Sequence, residues 1–146
     1  MGSDLKYDEI MSEIKHVRIE NLKSRHKYEY NFSGENEYYK RDFVPRGYAK
    51  YCMVSIYEIP PLKAAYSYHF HYKNEETLYI ISGKGSLKTP TGEKKVIAGD
   101  FLFFPANKNG AHKLINTSRT EKLVYINFST THDKDVVAYP DLPHIR

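Results

Sequence analysis

At 146 residues the chain has the length of one ordinary domain and can bury roughly two-thirds of its unfolded surface without disulfide staples. Lysine and arginine exceed aspartate and glutamate by 22 to 18; this mild surplus is spread out and carries no helix-turn-helix or RNA-binding signature, so no nucleic-acid partner is expected. Cys52 has no second cysteine to pair with, residues 1–15 are charged without an export-signal core, and no run approaches the ~20 apolar residues of a membrane span, which together predict a soluble cytoplasmic protein with no membrane partner.

Along the chain, Ile10, Met11, Ile14 and Val17 recur at helical spacing and predict a short amphipathic helix. Residues 31–41 are polar, rich in tyrosine and without a strong period. Residues 1–45 are therefore read as an N-terminal arm that packs on the main body or on a partner subunit. From about Tyr48 the pattern becomes strand after strand. Residues 51–59 are apolar and β-branched, and Pro60-Pro61 stops them. Residues 65–72 read as a strand, as do 77–82, which Gly83 and Gly85 follow. Residues 86–88 lead into Thr89-Pro90-Thr91-Gly92, a turn in which proline fixes φ and glycine permits positive φ. Residues 94–97, 101–104, 112–115 and 123–129 complete the set. Many short strands with Gly, Pro and Asn punctuation predict an all-β sandwich or barrel over 46–131. The tail, 132–146, is expected to lie extended along the barrel exterior.

The chemistry-bearing feature is His69-Phe70-His71, with Glu76 close behind and His112 much later. Alternate residues of a strand project to one face, so both imidazoles point the same way. Three imidazoles and a carboxylate are a sufficient ligand set for a divalent transition metal. His16, His26, His132 and His144 fit no spacing and are read as surface residues. Cys52, in the apolar run Cys52-Met53-Val54, is read as a buried core thiol.

Two blocks resemble the paired motifs of the cupin superfamily. The first motif is a His-x-His pair, a short gap, a glutamate, six residues and a glycine, matched here by His69, His71, Glu76 and Gly83. The second opens on a glycine with a proline six positions on, then a histidine and an asparagine four beyond it, matched by Gly99, Pro105, His112 and Asn116. The family's glycine after the proline is replaced by Asn107, and His112 comes two positions late across residues 106–111. The long turn and Val136-Val137-Ala138-Tyr139-Pro140-Asp141 resemble a branch of small bacterial single-domain cupins.

The resemblance implies a double-stranded β-helix (jelly-roll) barrel and a metal held by His69, His71, Glu76 and His112. The six-residue spacing to Gly83 selects Glu76 over Glu75, which is left as a solvated neighbour or as an acceptor behind the ligands, and Asn116 is assigned a structural role bonding turn backbone, ahead of a role behind the ligands. Leu78 and Ile80, with Phe101 or Phe103, would supply apolar walls. Tyr57, Tyr66, Tyr68, Tyr79 and Tyr125 lie on strands as barrel wall, one or two of them reaching the cavity, and Ser67 shares the parity of His69. The cofactor is one divalent transition metal, zinc, nickel, manganese or iron. The partner is a small-molecule ligand or substrate, an oxygenated and anionic metabolite suited to a site with about one net positive charge. Three functions remain open: an enzyme of dioxygenase or isomerase/lyase type, a non-catalytic binding or sensor module, and a barrel merely stiffened by metal. No catalytic acid or base is selected by spacing. The arm and the barrel's edge strands predict a homodimer.

Overall fold

The computed structural model describes residues 16–23 and 28–142. Among them no helix is long and apolar enough to cross a membrane. The helix expected near Ile10 lies outside the described residues but for its last position, Val17, which is exposed and not helical.

Among the described residues eleven strands follow in order: β1 (Glu29–Ser33), β2 (Asn36–Val44), β3 (Cys52–Ile59), β4 (Phe70–His71), β5 (Glu76–Ser82), β6 (Lys84–Thr89), β7 (Gly92–Ile97), β8 (Phe101–Phe104), β9 (Lys113–Asn116), β10 (Leu123–Thr130) and β11 (Val137–Ala138). The one helical piece among the described residues is a 3-10 turn at Lys108–Gly110. A six-stranded sheet runs β1-β2-β3-β10-β5-β8, a three-stranded sheet β7-β6-β9, and β11 pairs with β4.

The two larger sheets bury their facing sides against each other. Leu78, Ile80, Leu102, Phe104, Ile59, Leu123 and Tyr125 come from the first, and Leu87, Val96 and Leu114 from the second. Strand alternation sets which residues point inward. On β8, Leu102 and Phe104 face the core opposite Leu78 and Glu76, while Phe101 and Phe103 are 72% and 60% exposed. The expectation that Phe101 or Phe103 walls the site is therefore corrected: both share the outward parity.

Two further expectations change. Residues 31–41, read as patternless, form most of the β1–β2 hairpin, which turns at Gly34-Glu35 and joins β3 in the main sheet. Tyr38 packs against the core, and the polar residues that hid the strand lie on its exposed side and edge. The strand expected over 65–72 shrinks to Phe70–His71, with isolated bridges at Ala64 and His69. Cys52 is half-buried and not in the core.

The glycine opening β6 has a steric reason. Gly83 has φ 93°, and a Cβ there would lie 2.5 Å from the Lys122 carbonyl oxygen. Asn116 is fully buried and structural as expected. Its amide donates to the carbonyls of Ile59, Pro60 and Glu121, and its oxygen accepts from the Ser118 N–H.

Candidate metal centre and cavity

Four side chains predicted from widely spaced positions meet at one atom. Glu76, first residue of β5, points inward and is 8% exposed. Its Oε1 lies 4.0 Å from His69 Nε2, 3.5 Å from His71 Nε2 and 3.5 Å from His112 Nε2. The ligand atoms of His69, His71 and Glu76 all fall within 4.8 Å of one another.

The lengthened turn delivers His112 through local bonds. The Asn107 side chain accepts from the Lys108 N–H, and its backbone N–H donates to the His71 carbonyl at 2.6 Å. A Cβ on Gly110 would sit 1.8 Å from the Pro105 carbonyl oxygen, so only glycine allows this fold-back. His112 then pairs with His69 through two backbone bonds of 2.9 and 3.1 Å. Its ring stacks on Phe104 with centroids 3.5 Å apart.

Each of these three histidines has its Nδ1 occupied. His69 Nδ1–H donates to the Ser67 carbonyl at 2.8 Å, and His112 Nδ1–H to the Gly110 carbonyl at 2.8 Å. A carbonyl only accepts, so these nitrogens must carry the proton. His71 Nδ1–H donates to Asp135 Oδ2 at 2.7 Å. With the proton on Nδ1, a neutral ring at each position turns its Nε2 lone pair toward Glu76. Burial lowers both His69 and His112, the latter to about 4, so both rings are neutral at pH 7.

Glu76 Oε1 is buried with no hydrogen-bond donor, while Oε2 accepts from the Asn127 amide at 3.2 Å. A carboxylate oxygen ringed by three lone pairs is electrostatically incomplete. Among the described residues no donor completes it.

Above this cluster opens a cavity of about 220 Å³. Its lining includes His69, His71, Glu76, Tyr57, Tyr66, Asn74, Asn127, Ser129, Val137, Tyr139, Lys40 and Arg46. Tyr57 and Tyr66 share a 2.6 Å hydrogen bond between their hydroxyls. Burial raises both phenols, so they hold their protons. Asn74 is 2% exposed and, like Asn127, has an unpartnered side-chain oxygen. Arg46 is exposed and places a cation at the solvent end.

The tail is not simply exterior. Asp135 takes His71 Nδ1–H on one oxygen and the N–H groups of Lys73 and Asn74 on the other at 2.8 and 3.0 Å. Burial alone would raise its carboxyl, but these donors hold it below the usual carboxylate range. β11 pairs Val137 with His71, and Val137 and Tyr139 wall the cavity. Glu75 is exposed, as are His16 and His132, while His26 and His144 lie outside the described residues. Of the five tyrosines considered, Tyr57 and Tyr66 line this cavity, Tyr125 is buried, Tyr79 faces outward and Tyr68 packs under Lys88.

Sequence reasoning missed Lys40, Arg46, Asn74, Asn127, Asp135 and Tyr139. Asn127 was findable: it alternates with Phe128 beside Tyr125, which marks a polar residue of inward parity.

The cupin-domain profile matches residues 55–128, half of the chain. A candidate sugar phosphate isomerase from Acidithiobacillus ferrooxidans superposes with TM-score 0.72 at 30% identity, over 80% of this chain and 76% of that one. A cupin-superfamily sugar phosphate isomerase from Silicibacter pomeroyi gives 0.66 at 19% identity, over 72% of this chain and 66% of that one, which bears on fold alone. An uncharacterised protein of Aquifex aeolicus is 37% identical over 70 residues, 47% of this chain, and the match spans 55% of that relative's length. The facing sheets are those of a double-stranded β-helix, and the chain belongs to the cupin family.

Proposed function

We propose that the chain is a metal-dependent enzyme acting on a small, oxygenated, anionic metabolite, with His69, His71, Glu76 and His112 as the ligands of one divalent transition ion. The observation that carries this is the donor-less, buried Glu76 Oε1 facing three Nε2 lone pairs. The residues fit such an ion. Ligands held at ~2.1 Å from one ion stand about 3 Å apart, a little closer than the 3.5 to 4.0 Å found here. Three imidazoles and one carboxylate accept zinc, nickel, manganese or iron, and the donor set does not choose among them. When bound, the ion would polarise a substrate oxygen and stabilise negative charge developing on it.

The chain's own residues account for the rest. Arg46 and Lys40 favour an anionic group at the solvent side of the cavity. The free oxygens of Asn74 and Asn127 can accept from substrate hydroxyls. Tyr57 and Tyr66, held protonated, can donate to an oxyanion. A hydroxylated substrate with an anionic end suits this lining, and the isomerase assignment of the Acidithiobacillus relative supports isomerase or lyase chemistry over oxygenation.

A binding or sensor module is the second reading. It is favoured by the same two phenols, which hold protons and cannot serve as the base that an enolisation needs.

Elemental analysis of protein purified without chelator, beside a His69→Ala/His71→Ala double variant, tests the centre. About one equivalent of metal, lost in the variant, is expected. Absence of metal after growth and reconstitution with each candidate ion would remove the metalloenzyme reading. Turnover of phosphorylated aldoses or ketoses by the loaded protein would separate enzyme from binding module.

A further inference from the structure

Past β10 the chain turns and comes back beside the candidate centre without joining the core. Of residues 132–142 only Asp135 and Ala138 are not exposed, and none contributes to the hydrophobic cluster between the sheets. This stretch nevertheless walls the cavity. Val137 and Tyr139 line it, and the Tyr139 ring lies 6.3 Å from that of His69. A wall that is not packed into the barrel needs other fastenings.

The fastenings are few, and most of them meet at one residue. The Tyr72 N–H donates to the Val136 carbonyl at 2.9 Å, and β11 pairs Val137 with His71 and Ala138 with Phe70. Lys88 Nζ reaches Asp141 Oδ2 at 2.8 Å, but both side chains are exposed, and such surface pairs contribute little. The buried anchor is Asp135, whose side chain is 4% exposed. One of its oxygens accepts the Lys73 and Asn74 N–H groups, and the other accepts His71 Nδ1–H at 2.7 Å. A segment with a two-residue ladder and one buried anchor opens at low free-energy cost. His71 is the common joint. Its backbone pairs with Val137, its Nδ1 with Asp135, and its Nε2 faces Glu76 Oε1 at 3.5 Å.

We infer that residues 135–139 form a closing strap whose hold on the barrel is set by occupation of the centre, with His71 as the joint. The inference rests on the metal reading above. A cation on Nε2 draws electron density from the ring, which makes Nδ1–H a stronger donor to the carboxylate beside it. The strap is then held more tightly when the centre is filled. By reciprocity a docked strap raises the affinity of the centre for its ion by the same factor. The consequence falls on the cavity. Its Val137 and Tyr139 wall is firm when the ion that would act on a substrate is present, and loose when it is absent. An empty barrel exchanges its contents freely, and a loaded one retains them.

Amide hydrogen exchange, resolved by residue in the full chain, reads the strap at the N–H groups of Tyr72, Lys73 and Asn74. Chelator-stripped protein is compared with protein carrying zinc, and the zinc content of each sample is measured. Loading should slow these three amides about tenfold or more, the low end of what a carboxylate partner of a ligating histidine contributes to metal affinity. In Asp135→Asn at saturating zinc that slowing should largely vanish. Lys88→Ala releases the surface pair without touching His71, so the zinc effect should survive it. One equivalent of bound zinc with unchanged exchange overturns the strap and leaves the centre standing. Equal slowing in Asp135→Asn also overturns it, since the metal would then stiffen its surroundings without the carboxylate. A chain that takes up no zinc overturns the strap, while the centre itself stands or falls by elemental analysis with the other candidate ions.

Discussion

Strand β5 carries two regions of opposite character on its two faces. Inward it presents Glu76, Leu78 and Ile80, which are 8%, 3% and 0% exposed. Outward it presents Thr77, Tyr79 and Ile81, beside Phe103 and Phe128. A sheet with one solvated face ordinarily reads hydrophobic in and polar out. Here the inner face is apolar at one end and polar at the other, where Glu76, Asn127 and Ser129 meet. On the β5–β8 side the outer face is apolar, with Phe101 and Phe103 mostly exposed. Each inversion has a physical cost, a buried carboxylate on one side and aromatics in water on the other.

The largest test of the difference sits four residues from the candidate centre. Ile80 is fully buried, and Ile80→Ala should cost about 2–5 kcal/mol through lost contacts and the cavity left behind. Its outward neighbour Tyr79 should behave differently. Tyr79→Ala in a dilute, monomeric sample should cost only about 1 kcal/mol, the loss of its cross-strand ring contact with Phe101, because no void is left behind. Urea unfolding of both variants measures the contrast. Equal losses would show that the outer face is packed against something within the same chain.

Acid should act on the inner face next. His112 is 5% exposed, and burial lowers it from 6.5 to about 4. Between these values the unfolded chain takes up a proton on this ring that the folded chain refuses, so stability falls as pH drops through that window. His69 is shifted in the same direction. The shift of His112 alone corresponds to about 3 kcal/mol in metal-free protein at pH 4 and below. Thermal unfolding in chelator across this range measures it. A flat profile would mean that the rings take up protons while folded, with Glu76 as their counter-ion.

The strands of the barrel and the four side chains at Glu76 were legible because period-two alternation and fixed spacings are local properties of a sequence. β8 was bounded correctly, and β3, β5 and β10 fell within a residue of their ends. The His-x-His, Glu and His spacing survived even a turn lengthened at 106–111, since Gly110 can fold back where a side chain could not. What the sequence hid was long-range. The β1–β2 hairpin read as patternless because its first strand is wholly exposed and carries no alternation. Phe101 and Phe103 were placed on the wrong side of β8, because an apolar run of four gives no parity until Leu102 is seen opposite Leu78. Asp135 could not be found at all. It meets His71 across 64 positions, and one aspartate in a polar tail has no period to betray it.

Asp135 supplies the finest probe of the inner face. Its two oxygens do separable work: Oδ1 accepts the Lys73 and Asn74 N–H groups and straps the tail down, while Oδ2 takes the His71 proton. Asp135→Asn keeps an acceptor for the two backbone N–H groups and removes the charge beside the imidazole. If His71 is a metal ligand, the carboxylate fixes its tautomer and raises the basicity of Nε2. Loss of such a partner typically weakens metal binding by about 10–100-fold. Competition with a chromophoric chelator reads that affinity directly, and thermal unfolding of the metal-free variant reads the strap. Weaker metal binding at nearly unchanged metal-free stability places the effect on His71. Equal affinity for the two proteins would reduce Asp135 to a fastening for the tail, and the inner face would then owe its metal affinity to the barrel strands alone.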